Sequence, residues 1–220
     1  MRVAGIDEAG RGCVVGPLVV AGLLVKEEKL REIADIGVKD SKLLSAKKRE
    51  ALYPEIIKIA EKYIITKVTP QQIDCAVESK VKLHKLNFLE AKTMGEIVTL
   101  LEPNIVYVDA ADVSAERFAQ NIQETSVFQT KIVSEHKADK TYPIVSAASI
   151  LAKVERDNTI ALLRNEYGDF GSGYLSDPKT QAFLVDWLKT HQDYPEIIRK
   201  SWKPAKEAKN QQHQKQQKLF

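Results

Sequence analysis

The sequence predicts an α/β protein: a mixed five-stranded sheet with flanking helices and a small helical lobe at its C-terminal side. Three observations carry this. Five apolar runs rich in β-branched residues alternate with stretches whose apolar residues recur at helical spacing. The last two runs are each reached through a helical stretch, and such crossovers place strands parallel. The 220 residues, 44% hydrophobic and 29% charged, suit one domain with at most a small appendage.

The first run, around Val3, Ala4 and Ile6, closes on Asp7 and Glu8 and is followed by Gly10-Arg11-Gly12. Adjacent strand residues face opposite ways, so Asp7 and Glu8 share a site only where the strand ends or bends. Val14 to Val25 reads as a long central strand, bent at its start by Gly16-Pro17 and paired with the first as a hairpin. Lys26 to Lys42 is polar and loop-like. Ser45 is a natural N-cap for a helix carrying Leu52, Ile56, Ile59 and Tyr63, which Pro54 should kink or restart. Tyr63 to Val68 completes an antiparallel three-strand meander, and Pro70 opens a short helix or turn.

From Ser79 a long amphipathic helix is expected, with Leu83, Leu86, Met94, Ile97, Val98 and Leu101 on one face and Glu102-Pro103-Asn104 at its end. Ile105 to Val108 is the fourth strand and Asp109 stands at its C-terminal end. Ser114 caps a helix containing Arg117, Phe118 and Ile122. Phe128 to Val133 is the fifth strand, with Asp139 shortly after it. A helix over Ser146 to Tyr167 sets an apolar stripe (Ile150, Val154, Ala161) beside a polar one (Ser149, Lys153, Arg156). Gly168 to Gly173 is a glycine-rich loop, and Asp177-Pro178 introduces a last helix with Phe183, Leu184, Trp187 and Leu188. The chain thus divides into residues 1–168, the sheet domain, residues 169–204, a helical lobe, and residues 205–220, a Lys/Gln-rich tail expected to be disordered.

Charge is unevenly spread. Residues 199–220 hold seven Lys/Arg and one acid, whereas the rest of the chain is slightly acidic. A basic tail of this kind suits a polyanionic partner. Cys13 and Cys75 have no metal-type spacing and make no disulfide framework, so a reduced, cytoplasmic setting is expected. No signal-like pattern opens the sequence and no apolar run reaches membrane-spanning length.

Acidic residues recur where strands end: Asp7 and Glu8, Asp109, and Asp139. Sites in open α/β sheets form at the carboxyl ends of strands. If the first, fourth and fifth strands are parallel neighbours, these four carboxylates converge. A ligand set of oxygens without a Cys or His cluster favours Mg²⁺ or Mn²⁺ over Zn²⁺. Two such ions would clamp an in-line phosphoryl displacement. Asp112 competes with Asp109, though it also suits the turn before Ser114. Asp157 is placed to pair with Lys153 four residues earlier. His84, His136, His191 and His213 are scattered, and only His136 stands near one of these acids.

A dinucleotide-binding loop is the first rival, but its third glycine would fall at Val15, and carboxylates before the loop would repel a pyrophosphate. A non-catalytic nucleic-acid-binding module and a junction-cleaving nuclease are the others.

The segments GIDEAGRG, DSKLL, VDAAD, HKADKTYPIVSAASILAKVERD and GSGYLSDPKT, in this order, resemble ribonuclease HII, the type 2 ribonuclease H, in its archaeal style. The resemblance covers about residues 1–200. It implies a ribonuclease H-like fold, cleavage of RNA in RNA/DNA hybrids, and incision 5′ of single ribonucleotides in duplex DNA, leaving 3′-OH and 5′-phosphate ends. It further implies Asp7, Glu8, Asp109 and Asp139 as catalytic metal ligands, Gly10, Arg11 and Gly12 as readers of the ribonucleotide through backbone groups, and Tyr174 as a ring that stacks on the neighbouring sugar. Lys42, Lys153 and Arg156 are candidates for phosphate contacts, which position a duplex without reading it. Gln216-Gln217-Lys218-Leu219-Phe220 resembles the sliding-clamp-binding box of replication proteins, with one terminal aromatic where the box has two. A monomer is expected.

Overall fold

The computed structural model describes residues 1–38, 44–81 and 85–217. Its sheet has the order β3-β2-β1-β4-β5. β1 (Arg2–Ala9), β2 (Leu18–Lys26) and β3 (Lys62–Val68) form the expected antiparallel meander, with Asp7 opposite Ala21 and Leu23 opposite Tyr63. β4 (Ile105–Asp109) and β5 (Lys131–Glu135) add in parallel on the other side of β1, with Ile6 beside Val108 and Asp109 beside Glu135. β1 is therefore central, and its carboxyl end points the same way as those of β4 and β5.

Strand alternation divides the core in two. Ala9, Val19, Ala21 and Leu23 face α1 (Leu30–Asp35), α2 (Ala46–Ile59) and α7 (Pro143–Tyr167). Ala4, Ile6, Leu18, Val20 and Val106 face α3 (Pro70–Glu78), α4 (Leu86–Leu101) and α5 (Ala115–Thr125). Both faces of β1 and β2 are covered, which explains their nearly unbroken apolar runs. Gly5 lets α7 lie directly on β1, since a Cβ there would stand 2.4 Å from the Ile144 carbonyl oxygen.

A third core belongs to the C-terminal lobe. There Phe170, Leu184, Leu188 and Ile198 pack on Val14 and Val15 and on Ile160 of α7. α8 (Pro178–Thr190) and α9 (Lys203–Gln217) complete it.

Several expectations change. Val14 to Pro17 lie outside the sheet: Val14 and Val15 donate to the Gly173 carbonyl and Gly16 to that of Ile197, so these apolar residues fill the lobe core. The stretch after β2 holds a 3-10 turn (Glu27–Lys29) and α1 instead of open loop. Pro54 leaves α2 as a single helix, because it sits on the exposed side, where water can satisfy the Glu50 carbonyl it frees. Ser79 ends α3, a helix begun by the Thr69–Gln72 capping box, and α4 starts only at Leu86; Lys85 Nζ, just before it, donates to the Val77 and Ser79 carbonyls. The fifth strand begins three residues later than expected, at Lys131, and α7 begins at Pro143. The tail expected to be disordered forms α9, anchored by Ala205, which is fully buried, and by Ala208 against the lobe. Small residues bury little area each, so this face carried no visible apolar stripe. Leu83, and with it one position of the expected α4 face, lies outside the described residues. Among the described residues, no helix is long and apolar enough to cross a membrane.

Candidate active site

One step beyond the last β1–β4 pair stand Asp7 and Asp109, side by side at the carboxyl ends of parallel strands. Asp109 also accepts from the backbone N–H of Ala138 at 3.1 Å. That residue opens α6 (Ala138–Thr141), the short helix that carries Asp139. Asp7, Asp109 and Asp139 each present an oxygen within 4.8 Å of the others. Asp7 and Asp139 are buried. Burial pushes the Asp7 carboxyl up to about 6, against the pull of Lys153 and a hydrogen bond from Ser149, while the Asp109 charge raises it further. Three clustered carboxylates, two of them buried and the third half-buried, are the donor set a hard divalent cation fits.

Glu8 lies outside this trio. Because β1 runs on to Ala9, alternation turns Glu8 toward α4. Burial raises its pKa well above the usual range, helped by Asp7, Glu90 and Asp109. Its Oε2 is buried and makes no hydrogen bond among the described residues. Glu8 still lines the same cleft as Asp7 and Asp109, a space of about 470 Å³.

The Gly10-Arg11-Gly12 corner forms one wall of that cleft. Gly10 has φ +83°, and a Cβ on it would stand 2.9 Å from the Pro17 carbonyl oxygen. A Cβ on Gly12 would meet nothing within 4 Å, so its backbone is open to a ligand. The Arg11 side chain turns inward: Nε reaches Glu90 at 2.8 Å, and Nη2 reaches Asn87 Oδ1 at 2.7 Å and the Ala111 carbonyl at 3.1 Å. Arg11 thus offers a ligand its backbone, with its guanidinium engaged behind the loop.

The polar stripe of α7 faces the cleft. Lys153 donates to Ser149 and acts on Asp7. Arg156, expected to be available to phosphates, is buried; it donates to the Ser172 carbonyl and to Cys13 Sγ, and lies 4.8 Å from the centroid of the Tyr174 ring. Asp157 accepts from Arg49 and Arg156. Asp112 is held down to about 2: burial opposes its charge, but Arg117, Asn87 and the Ser114 N–H outweigh it. It is the anchor of a turn. His136 bonds the Val113 carbonyl at 3.2 Å on the exposed side. Tyr174 lines the cleft, and Lys42 lies outside the described residues.

Three further residues shape the site in ways that the sequence does not disclose by motif. Glu90 is fully buried under Arg11, its carboxyl raised to about 7 by burial despite that guanidinium. Arg49 lines the cleft opposite the glycine corner, with its Nε buried and making no hydrogen bond among the described residues. Arg199, counted with the basic tail, is fully buried and donates to the carbonyls of Gly10, Arg11 and Gly16 at 2.7, 2.8 and 3.1 Å. Only Arg49 carried a local signal, its place on the inner side of an amphipathic helix.

Comparison with known proteins identifies the family. The family model for ribonuclease HII matches residues 4–205. The ribonuclease HII of Pyrococcus abyssi is 49% identical over 206 residues, covering 94% of this chain and 90% of that protein. The crystal structure of the ribonuclease H2 from Pyrococcus horikoshii superposes with a TM-score of 0.89 at 43% identity, over 97% of this chain and 99% of that one. A structure of the PCNA:RNase HII complex from Archaeoglobus fulgidus contains a chain with a TM-score of 0.82 at 44% identity, over 91% of this chain and 93% of that one. A ribonuclease HIII, at 20% identity and a TM-score of 0.75, shares the fold. With the family model matched over residues 4–205 and relatives alike over more than nine-tenths of the chain, the chain belongs to the ribonuclease HII family of metal-dependent nucleases.

Proposed function

We propose that this protein hydrolyses the RNA strand of RNA/DNA hybrids and incises duplex DNA on the 5′ side of single embedded ribonucleotides, leaving 3′-OH and 5′-phosphate ends. The carrying observation is the approach of Asp7, Asp109 and Asp139 to within 4.8 Å beside an open glycine corner. These three residues, with Glu8 at the edge, would hold two divalent ions, Mg²⁺ or Mn²⁺. Such ions supply positive charge to the attacking water and to the leaving oxygen of a phosphodiester.

The chain's own groups do the rest. The 2′-OH is what distinguishes RNA from DNA at one nucleotide, and it both donates and accepts. Backbone groups of Gly10, Arg11 and Gly12 suit it, because no side chain of the glycines blocks approach. Tyr174, in the lobe of residues 169–204, would stack on the next sugar. Lys153 and Arg49 border the cleft, where cations position phosphates without reading sequence. Lys42 is a candidate for the same role from its charge in the sequence. These activities fit the removal of ribonucleotides and RNA primers from DNA. The C-terminal tail would carry the protein to a sliding clamp, a reading supported by the archaeal relative solved with PCNA. The clamp-box residues Lys218 to Phe220 lie outside the described residues.

The test is cleavage of a labelled DNA duplex bearing one ribonucleotide, with Mg²⁺, with Mn²⁺ and with chelator, against an all-DNA control. One cut on the 5′ side of the ribonucleotide, dependent on metal, is expected. Equal cleavage of the all-DNA duplex, or cleavage in chelator, would refute the reading.

A further inference from the structure

Two elements of the cleft come from distant parts of the chain, the glycine corner after β1 and Tyr174 in the lobe. The structure ties them together. Val14 and Val15, just after the corner, donate to the Gly173 carbonyl at 2.9 and 3.3 Å. Gly173 itself is held at φ +81°, donates to Thr180 Oγ1 at 3.0 Å, and has no room for a Cβ against the Val15 carbonyl at 2.9 Å.

Arg156 fills the space between them. Its Cγ lies where a Cβ on Gly10 would come within 3.4 Å. Its Nη2 reaches Cys13 Sγ at 3.1 Å and the Ser172 carbonyl, and Nη1 reaches Asp157 at 3.2 Å. The guanidinium covers one face of the Tyr174 ring. Burial, and after it the buried Cys13 thiol, raises the proton affinity of the ring's hydroxyl. Tyr174 is 37% exposed, so the face away from Arg156 is the one presented to the cleft.

We infer that Arg156 is a positioning residue: it seats the Tyr174 ring at a fixed distance from the glycine corner, so that the two together measure the step from a ribonucleotide to the nucleotide beside it. A planar guanidinium under an aromatic face, forked to a thiol and a carbonyl, is a role that lysine's point charge cannot reproduce. The inference deepens the ribonuclease reading above and rests on it.

A double-mutant cycle in single-turnover cleavage of a duplex with one ribonucleotide tests it. Arg156→Met is expected to lower kcat/KM about tenfold to thirtyfold when Tyr174 is present. In a Tyr174→Ala background the same change should cost less than about twofold, because residues that act as a unit are not additive. Mg²⁺ affinity, read by calorimetry, should stay within about twofold. If Arg156→Met fails to unfold cooperatively, Arg156→Lys takes its place, with a loss of the same kind expected. Equal losses in both backgrounds would overturn the positioning role. Absence of cleavage by the wild type would instead overturn the functional reading beneath it.

Discussion

Arg199 Nη2 donates to the carbonyl of Gly10 at 2.7 Å, across 189 positions of sequence. The glycine corner that walls the cleft is thus held from behind by the lobe. The guanidinium also spends donors on Arg11 and Gly16 and lies 5.1 Å from the Trp202 ring centroid. Arg199→Met would leave three carbonyls short of a partner, at a cost of about 3 kcal/mol. Urea unfolding should show that loss. Cleavage at a single ribonucleotide should fall more than Mg²⁺ affinity does, since the carboxylates are anchored elsewhere.

Asp7 ties stability to pH. Its carboxyl is raised from 3.8 to about 6, so the folded protein holds a proton that the unfolded chain has lost. Stability of the metal-free protein therefore falls as pH rises from about 4 to 6, by about 3 kcal/mol in all, and levels off above. A divalent cation needs the ionised form, so the rise in Tm on adding Mg²⁺ should grow over the same window. Asp7→Asn should flatten the metal-free profile, abolish turnover by about a thousandfold or more, and leave duplex binding largely intact. Thermal melts in chelator across pH 4 to 8 check the first claim and gel-shift titration the last.

Glu90 and Arg11 form a half-buried pair 79 residues apart, with Nε to Oε1 at 2.8 Å. Glu90→Ala would strand the guanidinium behind the loop and cost about 3 kcal/mol or more. Glu90→Gln keeps an acceptor for Arg11 and removes a charge that repels Glu8, so it should cost much less. Comparing the two variants by denaturant unfolding separates the hydrogen bond from the charge.

Deleting residues 211–220 keeps Ala205 and Ala208 in the lobe core. Cleavage of free oligonucleotides should stay within about twofold and Tm within a few degrees. Affinity for the sliding clamp, measured by surface binding, should be lost. Unchanged affinity would remove the tail from that role.

The acidic ends of β1 and β4 were legible because each strand is a compact apolar run that stops on a carboxylate, a local signal. The meander and the parallel additions followed from element order and connection rules. What escaped notice was long-range. Glu90 sits mid-helix among apolar residues and gains meaning only from Arg11; Arg199 looks like one more tail cation until Gly10 is beside it. Val14 and Val15 have the composition of a strand, and a β-branched pair cannot disclose whether it is buried in a sheet or under a lobe. That Glu8 falls outside the aspartate trio was readable in principle, since it needed only the strand to continue one residue further, to Ala9.

The parallel pairing of β1 with β4 has a consequence for synthesis. Asp7 is made before its neighbours Asp109 and Asp139, which follow more than a hundred positions later, and the arginine that braces the glycine corner comes later still. A growing chain therefore cannot assemble the acidic trio until Asp139 has been added.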